Sequence, residues 1–251
     1  MDLFDIRGKK AIVTGGSRGL GKSMAEGLRD SGVQVVIMGS TDKIYKTAEE
    51  LDSDYAHVFG IKADFRNRDS VGKAFNEALK LLGDIDILVN NAGTQIRNKC
   101  EDYLLEDWLT VLDVNLTAAF ILSQLAGREM LKKGEGKIIN IASLLSYSGG
   151  YMVPAYAASK GGMAQMTKAF SNEWAAKGIN VNAIAPGYME TDNTLALRED
   201  SIRNAQILER IPAQRWGSPQ DMQGTLIYLA SHASDYVHGS ILLVDGGWMG
   251  R

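Results

Sequence analysis

The sequence predicts a single α/β domain on a doubly wound parallel sheet of about seven strands, with helices on both faces. Three observations carry that prediction. Short apolar, β-branched runs recur along the 251 residues, and segments with helical spacing separate them. Several of these runs are apolar nearly throughout, as strands buried on both faces of a sheet must be. The first run also passes straight into a glycine-rich turn and a helical pattern, the opening of a βαβ unit.

In order, the strands are expected over 10–14, 33–38, 56–62, 85–90, 136–141, 179–185 and 240–244. Helical patterns cover 20–30, 70–82, 108–131, 156–177 and 219–230, which places right-handed crossovers between parallel strands. Four prolines, no Pro/Ser-rich linker and no repeat of solenoid length make 1–251 one domain. The polar stretch 189–211 breaks the rhythm. It follows a strand's carboxyl end, where doubly wound folds bind ligands, and reads as a substrate lid.

Composition narrows the function. Hydrophobic residues make up 45% of the chain, enough for a core, and 27 Lys+Arg stand against 30 Asp+Glu. No basic excess offers itself to nucleic acid, and no run of about 18 apolar residues offers itself to a membrane. The start, Met1-Asp2-Leu3-Phe4-Asp5, is acidic and lacks an apolar signal core, so a cytoplasmic location is expected. Cys100 is the lone cysteine and reads as inert. His57, His232 and His238 lack zinc spacing and read as surface or turn residues; no metal is expected.

The first turn has the composition of a pyrophosphate cradle. Thr14 leads into Gly15-Gly16-Ser17-Arg18-Gly19-Leu20-Gly21, and a helix follows. Glycines let backbone approach a ligand closely, and a helix amino end offers free N–H groups to phosphate oxygens. At the end of the second strand, Gly39-Ser40-Thr41 places no carboxylate where NAD-specific folds hold the ribose, and the first acid, Asp42, comes late. Arg18 could pair with a 2′-phosphate. NAD(P)(H) is therefore the expected cofactor, with NADP(H) somewhat favoured.

Tyr156 and Lys160 lie one helical turn apart, at i and i+4, and share a helix face. Ser143 ends a different strand, at the sheet edge that lines the ligand crevice. Hydride addition to a carbonyl requires a proton donor for the oxygen, and a free tyrosine with pKa ~10 is poorly matched to neutral pH. A neighbouring ammonium should lower that value, while the serine hydroxyl holds the carbonyl oxygen.

Together these residues resemble the short-chain dehydrogenase/reductase family, and the resemblance runs the length of the chain, within a Rossmann-type fold. Its marks are 14–21, Asp64, Asn90-Asn91-Ala92-Gly93, Asn115, Ser143, Tyr156, Lys160, Pro186-Gly187 with Thr191, and Asp245-Gly246-Gly247. The resemblance implies Tyr156 as general acid/base, Ser143 as the group that polarises the carbonyl, and Lys160 on the nicotinamide ribose. It implies that Asn115 shapes a helix holding a relay water and that Asp64 contacts adenine. Asn91, Ala92 and Gly93 would line the cofactor with Pro186 and Gly187, while Thr191 meets the carboxamide or phosphates. A homotetramer is implied too. The Tyr156 helix supports assembly by itself: Met163, Phe170 and Trp174 read as core-facing, whereas Ala158, Gly162, Gln165, Ala169 and Ala176 form an opposite face of mostly small residues.

Stretches 93–97, 182–189, 210–217 and 244–251 are similar to family members acting on sugar acids. They imply a keto sugar acid of the 3-deoxy-gluconate type, in uronate breakdown. A gluconate 5-dehydrogenase or a 3-oxoacyl-acyl-carrier-protein reductase is the alternative; a dinucleotide sensor without turnover is a third reading. An acid substrate needs a cation for its carboxylate. Arg97 is the first candidate, and Arg215 is expected to brace the loop against the following helix.

Overall fold

In a computed structural model, which describes residues 3–251, seven strands form one parallel sheet in the order β3-β2-β1-β4-β5-β6-β7. Met1 and Asp2, which open the acidic start, lie outside the described residues. The strands are β1 (Lys10–Thr14), β2 (Gln34–Gly39), β3 (Val58–Lys62), β4 (Ile87–Asn90), β5 (Gly136–Ile141), β6 (Ile179–Pro186) and β7 (Ile241–Val244). Alternation along them divides the core. Val13, Ile37, Val89 and Ile139 face one layer; Ile12, Val36, Leu88 and Ile138 face the other.

Helices α1 (Gly19–Asp30), α2 (Lys43–Leu51) and α9 (Asp221–Ala230) cover the first layer through Met24, Leu28, Ile44 and Leu226. Helices α3 (Arg68–Leu82), α4 (Leu105–Leu112), α5 (Ala118–Lys133) and α6 (Pro154–Trp174) form the opposite side, where Phe75, Leu122, Met130 and Trp174 reach the core. Local chemistry sets several ends. The Asn67 side chain accepts from the Ser70 amide at 3.0 Å to start α3, and Gly83, at φ 75°, closes it. Pro154 opens α6 at a position whose N–H would have no helical partner.

The expected strands are present, with β2, β3, β4 and β7 beginning one or two residues later than predicted. Their apolar runs extend past the point where the neighbouring ladder begins. Helix α2 was not among the predicted helices, although Ile44, Thr47, Ala48 and Leu51 give it a buried stripe at i, i+3, i+4 and i+7. The helix expected over 108–131 is longer, and a π-turn at Asp113–Thr117 joins α4 to α5. Leu105–Lys133 is long and apolar enough to cross a bilayer, yet Ala119, Leu122, Ala126 and Met130 bury one face of it in this fold.

The excursion after β6 contains α7 (Leu195–Glu199) and α8 (Ser201–Arg210). A parallel bridge between Met189 and Gly217 pinches its base. Ile207, Ile211 and Trp216 give it a small core of its own, against which Tyr188 and Trp248 pack.

A buried polar chain couples the sheet to α5 and α6. Asn90 Nδ2 donates to Ser123 Oγ at 2.9 Å and to Asn140 Oδ1 at 2.8 Å. Asn140 Nδ2 donates to Thr167 Oγ1 at 2.9 Å, and all four residues are buried. Replacing one member strands its partners without water. Asn140→Leu should cost about 2–4 kcal/mol of unfolding free energy, measured by urea denaturation. An unchanged midpoint and slope would show that the chain adds nothing to stability.

Candidate active site

The strand order reverses between β1 and β4, so their carboxyl ends open a crevice. Thr14 stitches its two walls together. Its hydroxyl accepts from the Asn91 and Ala92 amides, both at 2.9 Å, while Asn91 Nδ2 donates to the Thr14 carbonyl at 2.8 Å. Gly93 follows, beside Asn115.

The glycines of the first turn divide their work. A Cβ on Gly21 would strike the Gly15 carbonyl oxygen, and one on Gly16 would lie 2.6 Å from Ile37 Cβ, so both are small for packing. Gly19, at φ 54°, instead meets only Thr191, 3.6 Å from its Cβ position. Here the left-handed backbone requires glycine. No side chain caps α1, and no acid occupies its first turn, leaving its amino end free for an anion. This uncapped cradle fits a dinucleotide's diphosphate.

At the adenosine end, Ser40 is exposed just past β2, and Asp42 is paired with Lys62 at 2.9 Å. Arg18 pairs with Asp192 on the excursion at 3.1 Å, with both side chains largely exposed. Such a pair is weak and easily exchanged for a stronger anion. Asp64 lies beyond β3 with its carboxylate held by Arg66 at 3.1 Å.

Ser143, Tyr156 and Lys160 meet at the carboxyl end of β5. Ser143 begins a 3₁₀ turn (Leu144–Ser146), and its hydroxyl lies near enough to the Tyr156 phenol to pull the phenol's pKa down. Ser146, which the sequence reading did not single out, donates its hydroxyl to the Lys160 carbonyl at 2.8 Å. The Lys160 side chain runs into the interior, where only 4% of the residue stays exposed. Its ammonium donates to the Ile141 carbonyl at 2.5 Å and lies 5.7 Å from the Tyr156 ring centroid. No carboxylate pairs with it among the described residues, so two of its three donors remain for ribose hydroxyls.

Asn115 is fully buried in the π-turn. Its Nδ2 donates to the Thr94 carbonyl and to Ser159 Oγ, both at 3.0 Å, and its Oδ1 accepts from the Thr94 amide at 2.7 Å. Ser159 Oγ in turn donates to the Tyr156 carbonyl at 2.7 Å. Asn115 therefore ties the turn after β4 to the helix carrying the tyrosine. Ser159 was not foreseen either. Its role depends on which side of α6 faces the π-turn, a tertiary matter.

The electrostatics differ from expectation. Burial raises the Tyr156 phenol above its ordinary value, and the nearby Ser143 hydroxyl, not the Lys160 charge, opposes that rise. Burial also pushes the Lys160 ammonium down to about 8. Burial outweighs the lowering predicted from lysine, whose ammonium donates to the Ile141 carbonyl and makes no hydrogen bond to the phenol.

Arg97 is exposed on the segment after Gly93. With its amide oxygen turned inward, Gln95 accepts from Arg97 Nη2 at 3.0 Å and Nε at 2.9 Å. The Asn98 amide donates to the Met152 carbonyl at 3.0 Å, fastening this segment four residues upstream of Tyr156. Arg215 braces the loop as expected, gripping Asp221 at 2.6 and 2.9 Å at the start of α9. Pro186 pairs with Val244, and Gly187 packs against Asp245, so both lie at the end of β6 beside the excursion. His57 and His232 are exposed and partnered by Asp52 and Asp235. His238 is half-buried instead, with Nδ1 lacking a partner. Cys100 is exposed at the first residue of a 3₁₀ turn.

A parallel sheet with a diphosphate cradle at its reversal point, and a serine, tyrosine and lysine beside it, defines a dinucleotide-dependent oxidoreductase. The short chain dehydrogenase family model matches residues 9–202, and the chain belongs to that family. It is 50% identical over 250 residues to the 2-dehydro-3-deoxy-D-gluconate 5-dehydrogenase of Bacillus subtilis, covering 100% of this chain and 98% of that one. An Agrobacterium tumefaciens structure with bound NADP shares 48% identity at TM-score 0.93, with 100% of both chains covered. A gluconate 5-dehydrogenase from Burkholderia cenocepacia, in complex with NADP and tartrate, shares 37% identity at TM-score 0.93, covering 100% of this chain and 98% of that one.

The buried lysine has a thermodynamic consequence. Its folded pKa, about 8, lies below the ordinary 10.5, so the unfolded chain binds more protons between those values and stability rises with pH there. Below about pH 8 the full penalty applies, on the order of 3 kcal/mol. Lys160→Met should therefore raise the melting temperature at pH 7, with the gain fading toward pH 10.5. A variant less stable than wild type at pH 7 would refute the unpaired-charge account.

Proposed function

We propose that this enzyme interconverts a keto sugar acid of the 3-deoxy-gluconate type and its hydroxy acid, with NADP(H) preferred over NAD(H). The observation carrying this reading is the meeting of Ser143, Tyr156 and Lys160 beside the diphosphate cradle, in a chain half identical to a named sugar-acid dehydrogenase. The bound coenzyme supplies or accepts the hydride. Tyr156 gives its phenolic proton to the substrate oxygen during reduction and takes it back during oxidation. Burial keeps that phenol protonated at neutral pH, which suits the reductive direction. Ser143 fixes the carbonyl oxygen against the phenol, and Lys160 offers its two spare donors to the nicotinamide ribose. Asn115 holds the π-turn, where a carbonyl freed from α-helical pairing can accept from a relay water.

Arg18, Ser40 and the neutralised Asp42 favour an adenosine 2′-phosphate, in keeping with the NADP bound by the two structural relatives. Gly15, Ser17, Leu20 and Gly21 carry the diphosphate with Gly19. Asp64 meets the adenine, Asn91 to Gly93 the ribose, and Pro186, Gly187 and Thr191 the carboxamide side. The excursion 189–211 serves as the substrate lid, and Arg97 receives the acid's carboxylate. The tartrate on the Burkholderia relative is itself a hydroxy acid.

We place the enzyme in the cytoplasm as a homotetramer. Ala158, Gln165 and Ala169 are exposed on α6, while Leu105, Leu109 and Phe120 are exposed on the adjoining α4 and α5. A second copy can cover such a small and apolar face. Gly162 is the exception, being occupied within the chain by Leu116.

A panel of keto and hydroxy sugar acids, assayed both ways with NADH and NADPH, tests the reading; turnover confined to neutral ketones would overturn it. Tyr156→Phe should lower kcat about 100- to 10,000-fold while leaving NADPH affinity within a factor of about two. Weakened coenzyme binding with modest loss of kcat would remove the proton-transfer role. Arg97→Ala should raise KM for the acid about 10-fold or more and leave a neutral ketone nearly unaffected. Equal effects on both would clear Arg97 of the carboxylate.

A further inference from the structure

Between the turn after β4 and the approach to α6 runs a short arm, 94–98, that belongs to no strand or helix. Exposure alternates along it: Thr94, Ile96 and Asn98 are half-buried, while Gln95 and Arg97 are exposed. That is the period of extended backbone, with one side turned to the protein and the other outward. An extended segment outside a sheet must bond its backbone elsewhere. Here each inward residue has its own partner. Asn115 brackets Thr94, accepting from its amide and donating to its carbonyl. The Tyr103 phenol donates to the Ile96 carbonyl at 3.1 Å. The Asn98 amide donates to the Met152 carbonyl at 3.0 Å.

Two of the three partners, Tyr103 and Met152, lie outside the Ser143, Tyr156 and Lys160 set. Burial and the Asp107 charge raise the Tyr103 phenol above its ordinary value, so it remains a donor at neutral pH. Met152 is held in a costly conformation. Its φ is 61°, a left-handed value shared by one other non-glycine residue among those described, Gln214. Such strain persists only where the surroundings impose it, and it gathers at working sites. The surroundings here are fixed: Val153 is buried beside it, and Pro154, with its locked φ, opens α6. Both anchored ends of the arm lead to Tyr156. Asn115 reaches the Tyr156 carbonyl through Ser159, and Met152 lies four residues before the tyrosine.

We infer that Tyr103 and the strained Met152 backbone are positioning residues for the substrate: they clamp the arm 94–98 beside Tyr156 and so set where Arg97 stands. The inference rests on the carboxylate role proposed for Arg97 and adds the two groups that aim it.

KM and kcat for a keto sugar acid and a neutral ketone, NADPH affinity by calorimetry, and melting temperature are compared for wild type, Tyr103→Phe, Met152→Pro and Met152→Gly. Tyr103→Phe, which removes one oxygen, should raise KM for the acid about 3- to 10-fold, with kcat, NADPH affinity and KM for the ketone within about twofold. Met152→Pro, whose ring forbids a left-handed φ, should do the same, and Met152→Gly, which adopts that φ freely, should restore the wild-type KM. On an Arg97→Ala background, Tyr103→Phe should raise KM no further, because the arm then has no guanidinium to aim. An unchanged acid KM in Tyr103→Phe overturns the inference, as does a full additional rise on the Arg97→Ala background. A fall in melting temperature with kcat and NADPH affinity lost together would make the Tyr103 bond purely structural and overturn it as well. Equal impairment of Met152→Gly and Met152→Pro would defeat the backbone role of Met152. If Arg97→Ala weakens acid and ketone alike, the carboxylate role fails alone; the clamp then requires Tyr103→Phe to raise KM for both substrates, and unchanged values for both end it too. Should Met152→Pro not fold, Tyr103→Phe decides.

Discussion

All seven strands run the same way, and that constraint places every reactive group on one edge of the sheet. A parallel strand must return through a crossover, so each carboxyl end opens into a connection on the same side. The turns after β1, β4, β5 and β6 therefore share a crevice although Thr14 and Pro186 are far apart in the chain. The Thr14 hydroxyl turns this proximity into a fixed geometry, bonding two amides of the turn after β4. The buried amides of Asn90 and Asn140 repeat the device deeper in the core.

Within that crevice the protein maintains an unstable charge. An ammonium with one carbonyl partner, nearly sealed from water, lowers fold stability, and the function proposed above gives its remaining donors a coenzyme to bind. The same low-dielectric surroundings hold the phenol protonated and make the Ser143 hydroxyl the local force on it. The raised phenol and the depressed ammonium have one cause, their desolvation at the carboxyl end of β5.

The excursion after β6 is energetically a satellite. Its own apolar cluster, the ring contacts from Tyr188 to Trp216 and Trp248, and the Arg251 bond to the Glu209 carbonyl hold it at its rear. At its front the main tie to the phosphate turn is the exposed Arg18–Asp192 pair. Such an arrangement suits the lid proposed above, with a weakly tied front and an anchored rear.

Fold class, the strands, the phosphate turn and the Ser143, Tyr156 and Lys160 set were legible because periodicity and short motifs record local geometry. The strand at 136–141 and the helix at 156–177 needed no tertiary information. Helix α2 was legible in principle, since its stripe is local. The partners of these residues were not. Ser159 and Ser146 gain their roles from which sides of α6 meet the π-turn and β5, and Lys160 from where its side chain runs. The sequence by itself determined which chemistry the chain carries, because residue types and spacing suffice for that. Only the tertiary structure decided that burial raises the phenol, because desolvation depends on neighbours far away in the chain.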